Sequence, residues 1–136
     1  MTRYHSRGFT LMELMIVVAL IGIITAVAFG NYGESVLKSK RTDARTALMN
    51  TSTSLEKCKT IYGVYNNANC SIGNGDSLDS PEGEYTVAVA TTATTYTLTA
   101  SPSAGSSQQK DNDCTTIVLN HLGQQTATGA NTKDCW

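Results

Sequence analysis

The sequence predicts an α+β fold in which one long N-terminal α-helix packs on a small antiparallel β-sheet. Three features lead to this prediction: a dense apolar block near the N-terminus, a helical pattern that continues beyond it, and a Thr-rich second half with alternating segments. The 136 residues leave room for one globular domain. The second half alone would form only a thin core, so we expect it to depend on the helix or on disulfides.

The apolar block begins the predicted helix. Residues 14–33 carry no charge, and most of them are Leu, Ile, Val, Ala, Met or Phe. At a rise of about 1.5 Å per residue, this stretch of helix would be about 30 Å long, which matches one bilayer core. We therefore predict a transmembrane and assembly segment over residues 9–33, followed by a globular domain over residues 34–136.

The helical pattern becomes amphipathic after Tyr32 and extends the predicted helix to about residue 60. One stripe of this helix should pack against the sheet. The charged residues on the opposite faces should form a solvated or intersubunit surface rather than a nucleic acid site. The stripe consists of Leu37, Ala44, Leu48, Leu55, Cys58 and Tyr62. The charged residues are Lys38, Lys40, Arg41, Asp43, Arg45, Glu56 and Lys59.

The remaining sequence predicts a loop followed by three strands. Residues 61–83 are dense in Gly, Asn, Asp and Ser, which is typical of a loop. Beyond it, apolar and polar residues alternate with the period of a strand. The predicted strands are residues 84–90, 96–101 and 115–120, with turns at residues 91–95 and 122–124.

The four cysteines predict two disulfides. None of them forms a CxxC pair, and the two histidines, His5 and His121, lie far apart, so no metal site and no cofactor are expected. An even number of cysteines in a small exported domain favours disulfides, and three connectivities are possible. We prefer Cys58–Cys70 with Cys114–Cys135, because each pair closes a short loop.

Charge is distributed unevenly along the chain. Six basic residues lie between residues 38 and 59, whereas only Lys110 and Lys133 follow residue 60. That second half also carries seven acids: Asp76, Asp79, Glu82, Glu84, Asp111, Asp113 and Asp134. An acidic half is a poor platform for phosphates, so nucleic acid is not expected as a partner.

The N-terminus differs from an ordinary secretory signal. Residues 1–8 contain Arg3 and Arg7 and no acid, as a basic leader should. In an ordinary signal the small-residue cleavage site follows the apolar run, whereas here the small residue, Gly8, precedes it. Removal of residues 1–8 would therefore keep the apolar helix in the mature protein. A single-pass anchor without processing is the alternative that these features leave open.

Glu13 is the unexpected residue of the apolar block. A carboxylate in hydrocarbon costs several kcal/mol unless it is paired, which makes such an acid a functional candidate. Cleavage after Gly8 would create a cation, the new α-amino group of Phe9. On a neighbouring copy this ammonium could approach Glu13, so Glu13 would report correct register during assembly. The alternative is an acid that reaches the membrane edge.

These residues resemble a known family. Gly8, Phe9-Thr10-Leu11 and Glu13-Leu14, after a short basic leader, are similar to the class III signal of type IV prepilins. The resemblance implies that a membrane prepilin peptidase cuts between Gly8 and Phe9 and methylates the Phe9 amine. It also implies that Glu13 promotes methylation and assembly, and that the fold is the type IV pilin fold.

Two further features bear on the resemblance. Many type IVa pilins have Pro where this chain has Gly30, so the helix here has no proline to enforce a kink between Gly22 and Gly30. The Cys-Trp ending and the segment after Cys114 resemble the compact minor pilins related to PilE. In type IV pilins, such a disulfide-bounded region lies near the filament surface and carries most of the subunit-specific function.

The resemblance implies a pilus subunit, with a minor pilin favoured over a major one, and no enzyme activity. Its partners would be other pilin subunits, prepilin peptidase and the inner-membrane assembly platform. The subunit would span the inner membrane once before assembly and lie in an extracellular pilus afterwards. The filament would serve adhesion, twitching motility or DNA uptake. The alternatives are a type II secretion pseudopilin, a DNA-binding competence pilin, and an enzyme or sensor with one membrane anchor.

Overall fold

A computed structural model describes residues 8–136, apart from the side chains of residues 27–31. Residues 1–7 of the predicted leader lie outside the described part of the chain. The described chain divides into one compact unit that ends at Ser35 and a second that covers Val36–Trp136. Each unit is considered by itself below.

One helix, α1, extends from Leu11 to Tyr62, close to the predicted span of residues 9–60. Thr10 begins it, because its Oγ1 accepts a hydrogen bond from the main-chain N–H of Glu13 at 3.2 Å. The backbone is helical through both Gly22 and Gly30. Within the described residues, no helix combines the length and the apolar character needed to cross a membrane.

The second unit contains a five-stranded antiparallel sheet in which every strand pairs with its neighbours in sequence. The strands are β1 (Ser77–Asp79), β2 (Tyr85–Thr91), β3 (Tyr96–Pro102), β4 (Thr116–Asn120) and β5 (Gln125–Thr128). The three longest strands match the three predicted ones. Two strands were not predicted: β1 lies inside the predicted loop, and β5 follows the predicted turn. Both are too short for a period of two to stand out.

The core of the second unit lies between α1 and one face of the sheet. From the helix it takes Ala44, Leu48 and Leu55, three residues of the predicted stripe, all fully buried. The sheet contributes alternate residues of each strand, as a one-sided sheet should. These are chiefly Tyr85, Val87, Val89, Tyr96, Leu98, Ala100, Ile117 and Leu119.

Three positions of α1 differ from the prediction. Tyr62, expected in the stripe, is 42% exposed, and Tyr65 beyond the helix end is buried instead. Arg41 and Asp43, expected on the charged surface, are 1% and 6% exposed. That expectation was wrong because both side chains find hydrogen-bonding partners on segments that cross the helix, which removes the penalty for burying them.

Candidate functional site

The N-terminal candidate site precedes and begins α1. Gly8, Phe9 and Thr10 lie before the helix and are exposed, and Phe9 keeps 81% of its surface. Glu13 is exposed in the first turn, where the helix macrodipole favours a negative charge. The Thr10 cap fixes the position of Glu13, because the hydrogen bond to its N–H sets where the first turn starts.

Apolar side chains surround Glu13 and continue along the helix. Large hydrophobic residues between Phe9 and Ile24 keep from 46% to 81% of their surface. Contiguous exposed apolar surface of this extent marks a contact with a membrane or with other chains. Across described residues 8–33, Glu13 is the only side chain with a charge. The site therefore combines a lipophilic helix with a single carboxylate at its beginning.

Both disulfides form in the preferred pairing. Cys58 joins Cys70, with 5.6 Å between their Cα atoms, and Cys114 joins Cys135, with 5.7 Å between theirs. The first bond ties the long loop to the end of α1. The second ties the C-terminal segment to the start of β4, where both of its cysteines are fully buried. Together they fasten the loop after α1 and the C-terminal segment to the rest of the unit.

Arg41 binds the C-terminal region to the helix. Its Nε and Nη2 donate to the two carboxylate oxygens of Asp111 at 2.7 and 2.8 Å. Each side chain of this pair is 2% exposed. Hydrogen bonding to Asp111 raises the pKa of Arg41 above its ordinary value. Arg41 and Arg45 also donate to the carbonyl of Asp134, and Arg45 to that of Cys135.

Asp43 binds the segment before β2 in a similar way. Its carboxylate accepts a hydrogen bond from the hydroxyl of Ser80 and from the N–H of Glu82 at 3.0 Å. One turn away, Lys40 forms an ion pair with Glu84, whose carboxylate also accepts from the hydroxyl of Ser106. The hydrogen bond from Lys40 is the main cause that lowers the pKa of Glu84.

Sequence reasoning missed these anchors, although a signal for them was present. Arg41 precedes Ala44 by three residues and Leu48 by seven, so it lies on the buried stripe. Asp43 precedes buried Ala47 by four residues. A charge at a stripe position predicts a buried pair when an opposite charge is available, and Asp111 supplied one.

An aromatic cluster lies at the end of the second unit where α1 terminates, which we call the far end. The ring of Tyr65 lies edge-on to Tyr96, with 5.0 Å between the centroids, and His121 lies beyond Tyr96 at 6.3 Å. The Lys59 ammonium lies 4.4 Å from the centre of the Tyr65 ring. Burial, with a hydrogen bond to Glu56, raises the pKa of Tyr65 to about 12. His121 is therefore part of a packed cluster and has no nucleophile beside it among these contacts.

Among the described residues, no group of three His, Cys, Asp or Glu side chains is placed to hold a metal ion. Asp111 of the Asp-Asn-Asp sequence is bound by Arg41, and Asp113 lies 3.9 Å from the same guanidinium.

Comparisons with known proteins identify both parts of the chain. A family described as "Prokaryotic N-terminal methylation motif" matches residues 3–29. A family described as "Type IV minor pilin ComP, DNA uptake sequence receptor" matches residues 30–118. The solved structure of a type IV pilin from Shewanella oneidensis shares the fold, with a TM-score of 0.52 at 24% identity. It is matched over 74% of this chain and 97% of its own.

Curated relatives agree with these matches. The type IV major pilin protein PilA of Myxococcus xanthus is 54% identical over 44 residues, which are 32% of this chain and 20% of that protein. A type IV major fimbrial protein FimA of Dichelobacter nodosus is 34% identical over 88 residues, 64% of this chain and 54% of that protein. The matched region thus spans from a fifth to about half of these relatives. With the methylation motif at its N-terminus and the minor-pilin family over most of the remainder, the chain belongs to the type IV pilins.

Proposed function

We propose that this pilin subunit is cut between Gly8 and Phe9, methylated on the Phe9 amine, and polymerised through its N-terminal helix. The exposed apolar band between Phe9 and Ile24 carries this proposal. Each 100 Å² of such surface left in water costs about 2.5 kcal/mol. A bilayer would cover the band before assembly, and the helices of neighbouring copies would cover it in the filament.

Pairing of charges gives the polymer its register. Cleavage creates the ammonium of Phe9, and Glu13 of a neighbouring copy accepts it within the apolar helix bundle. An unpaired carboxylate in that bundle would be strongly disfavoured, so a subunit enters only where the two groups meet. The prepilin peptidase and an assembly platform in the inner membrane are the partners that this sequence of steps requires.

Processing can be tested at Gly8. We expect Gly8→Val to leave residues 1–8 attached, because the branched side chain occupies the cleavage position of a small residue. Gly8→Ala, which adds a single methyl group, should retain most processing. Mass spectrometry of the subunit from whole cells measures both. Cleavage of Gly8→Val to the parent's mature mass would contradict the proposal.

DNA uptake is a second candidate function, and the distribution of charge favours it. Several acids of the second half are matched by bases of α1: Asp111 by Arg41, Glu84 by Lys40, and Asp134 by Lys38 at 3.7 Å. Net acidity in that half was the reason for not expecting nucleic acid. The pairing weakens that reason, and the matched family's description names a DNA uptake sequence receptor.

The far end of the second unit is the surface that would suit DNA. The end of α1, the β2–β3 turn and the β4–β5 turn meet there, because Tyr65 N–H donates to Ala93 and His121 N–H to Tyr96. Residues 57–75, 85–110 and 114–133 contain no acid, and the carboxylate of Glu56 at this end accepts a hydrogen bond from Tyr65. Lys57 is exposed and Lys59 half-buried at this end, and they would contact phosphates.

Binding of a fluorescent DNA duplex to the full-length chain in detergent micelles tests this second function. Each lysine that contacts a phosphate contributes about one unit to the slope of log K against log salt concentration. We expect Lys57→Ala to reduce the slope by that amount, while Lys110→Ala, an exposed lysine outside this end, leaves it unchanged. Equal slopes for the parent and both variants, or no binding at low salt, would exclude this surface.

A further inference from the structure

A groove lies on one flank of α1, between the helix and residues 72–82. It consists of two adjoining cavities of about 290 and 280 Å³ that share Pro81. Ala47, Ile72 and Leu78 give it apolar walls. We call this feature the α1 groove.

The rim of the α1 groove is acidic. Asp79 lines one cavity and Glu82 lines the other, and both side chains are exposed. Glu82 is fixed through its main chain, because its N–H donates to Asp43 at 3.0 Å. Within the described residues, the carboxylate of Glu82 forms no ion pair, and nearby Lys40 is paired with Glu84. The rim therefore offers negative charge to a cationic partner.

Residues 129–133 form an exposed segment after β5 on another part of the same unit, which we call the 129–133 knob. All five of its residues are exposed, and Lys133 is its only charged side chain. A main-chain hydrogen bond fixes its beginning, because Ala130 N–H donates to the carbonyl of Asn112 at 2.8 Å. A Cβ at Gly129 would lie 2.0 Å from the Asp113 carbonyl oxygen, so only glycine allows this close approach.

The groove and the knob lie on opposite flanks of α1. Asp43 forms a hydrogen bond on the groove side, whereas Arg41 and Arg45 donate hydrogen bonds to the C-terminal segment that carries the knob. Residues two positions apart point about 200° apart around a helix. The disulfide at Cys135 also keeps the knob on its own side. One copy therefore cannot place its knob in its own groove, but a second copy can.

We propose that the 129–133 knob of one copy seats in the α1 groove of the next, with Lys133 against Glu82 and Asp79. The small side chains Ala130 and Thr132 suit shallow cavities of this size, and the opposite charges match. Because the two surfaces differ, the contact is head-to-tail: the last copy added still offers a free knob or groove, so the contact can extend along a filament and does not close a two-fold dimer. This contact rests on the polymerisation proposed above and adds the surface through which the globular units recognise each other.

Charge reversal in the full-length chain tests the contact. The variants Glu82→Lys and Lys133→Glu, and the two combined, replace the native subunit in cells, and subunits in sheared filaments are quantified against the total. We expect each single reversal to lower recovery at least five-fold, because like charges meet at the contact. The combined variant restores opposite charges and should recover to within two-fold of the parent. Lys110→Glu is the matched control and should not change recovery.

Two results would overturn the proposal. One is recovery of the combined variant no better than that of the single reversals, as expected if the groove binds a different protein. The other is parental recovery of both single variants. Cleavage after Gly8, followed by mass spectrometry, should be complete in every variant. If the parent itself is cleaved yet absent from filaments, the polymerisation proposal fails, and that outcome is distinct from a loss confined to the charge-reversed variants.

Discussion

At the scale of single residues, Arg41 decides how the C-terminal half is fastened. It is a charged side chain that is almost completely buried, and it connects the helix to Asp111 and to the carbonyl of Asp134. A buried ion pair contributes little compared with a well-packed apolar pair, but breaking it from one side leaves an uncompensated charge. Loss of Arg41 would therefore destabilise the fold chiefly because the Asp111 carboxylate would remain buried without its cation.

A double-mutant cycle on this pair measures that effect. We expect Arg41→Met to lower the free energy of unfolding by about 3–5 kcal/mol, because the Asp111 carboxylate stays buried without its cation. Arg41→Met combined with Asp111→Leu should cost less than Arg41→Met alone, since no charge is stranded. Urea denaturation of the full-length chain in detergent gives the values. A combined loss equal to the sum of the single losses would show that the pair is not coupled.

Thr10 is the second residue with an effect beyond its size. Its hydroxyl caps α1 on the N–H of Glu13. Thr10→Val keeps the shape and removes the acceptor, so we expect the first turn to lose about 1 kcal/mol of local stability, while Thr10→Ser retains it. Hydrogen exchange at the Glu13 amide measures this in micelles. Equal exchange in Val and Ser variants would mean that the cap does not hold the turn.

At the scale of elements, the structure matches the prediction where an element is long enough for its sequence period to show. The helix extends over 52 residues, and β2 and β3 have seven residues each, so their patterns stand out. β1 has three residues and β5 four, and their pairing depends on neighbours that local sequence does not specify. The burial of Arg41 and Asp43 likewise depended on Asp111 and Ser80, which are distant along the chain.

The contact between α1 and the segment before β2 should depend on pH. Lys40 and the hydroxyl of Ser106 lower the pKa of Glu84, so the folded chain binds a proton there less readily than the unfolded chain. The stabilisation is complete above the ordinary value of 4.5 and is lost as the pH falls through the lowered folded value. We expect Glu84→Gln to lower Tm at pH 7 and to match the parent at pH 2. A constant difference in Tm across this range would contradict the assignment.

At the scale of the whole molecule, the two parts of the chain serve one purpose in different ways. Between Phe9 and Ile24 the first part presents exposed apolar surface, which in the proposed function is covered by a bilayer or by neighbouring helices. The unit Val36–Trp136 buries its own core, is fastened by two disulfides and two arginines, and presents polar surfaces that can distinguish partners. In the proposed function, the first part supplies the apolar helix for polymerisation, and the second supplies the polar contacts between globular units. Local patterning predicted the first part more fully than the second for this reason.

In the proposed function, cleavage and assembly are coupled through the Phe9 amine and Glu13. This coupling is tested by the amount of Glu13→Val subunit in sheared filaments from otherwise normal cells, relative to Glu13→Asp and the parent. We expect Glu13→Val to be cleaved after Gly8 yet nearly absent from filaments, with Glu13→Asp partly retained because it keeps the charge. Incorporation of cleaved Glu13→Val at the parental level would contradict it.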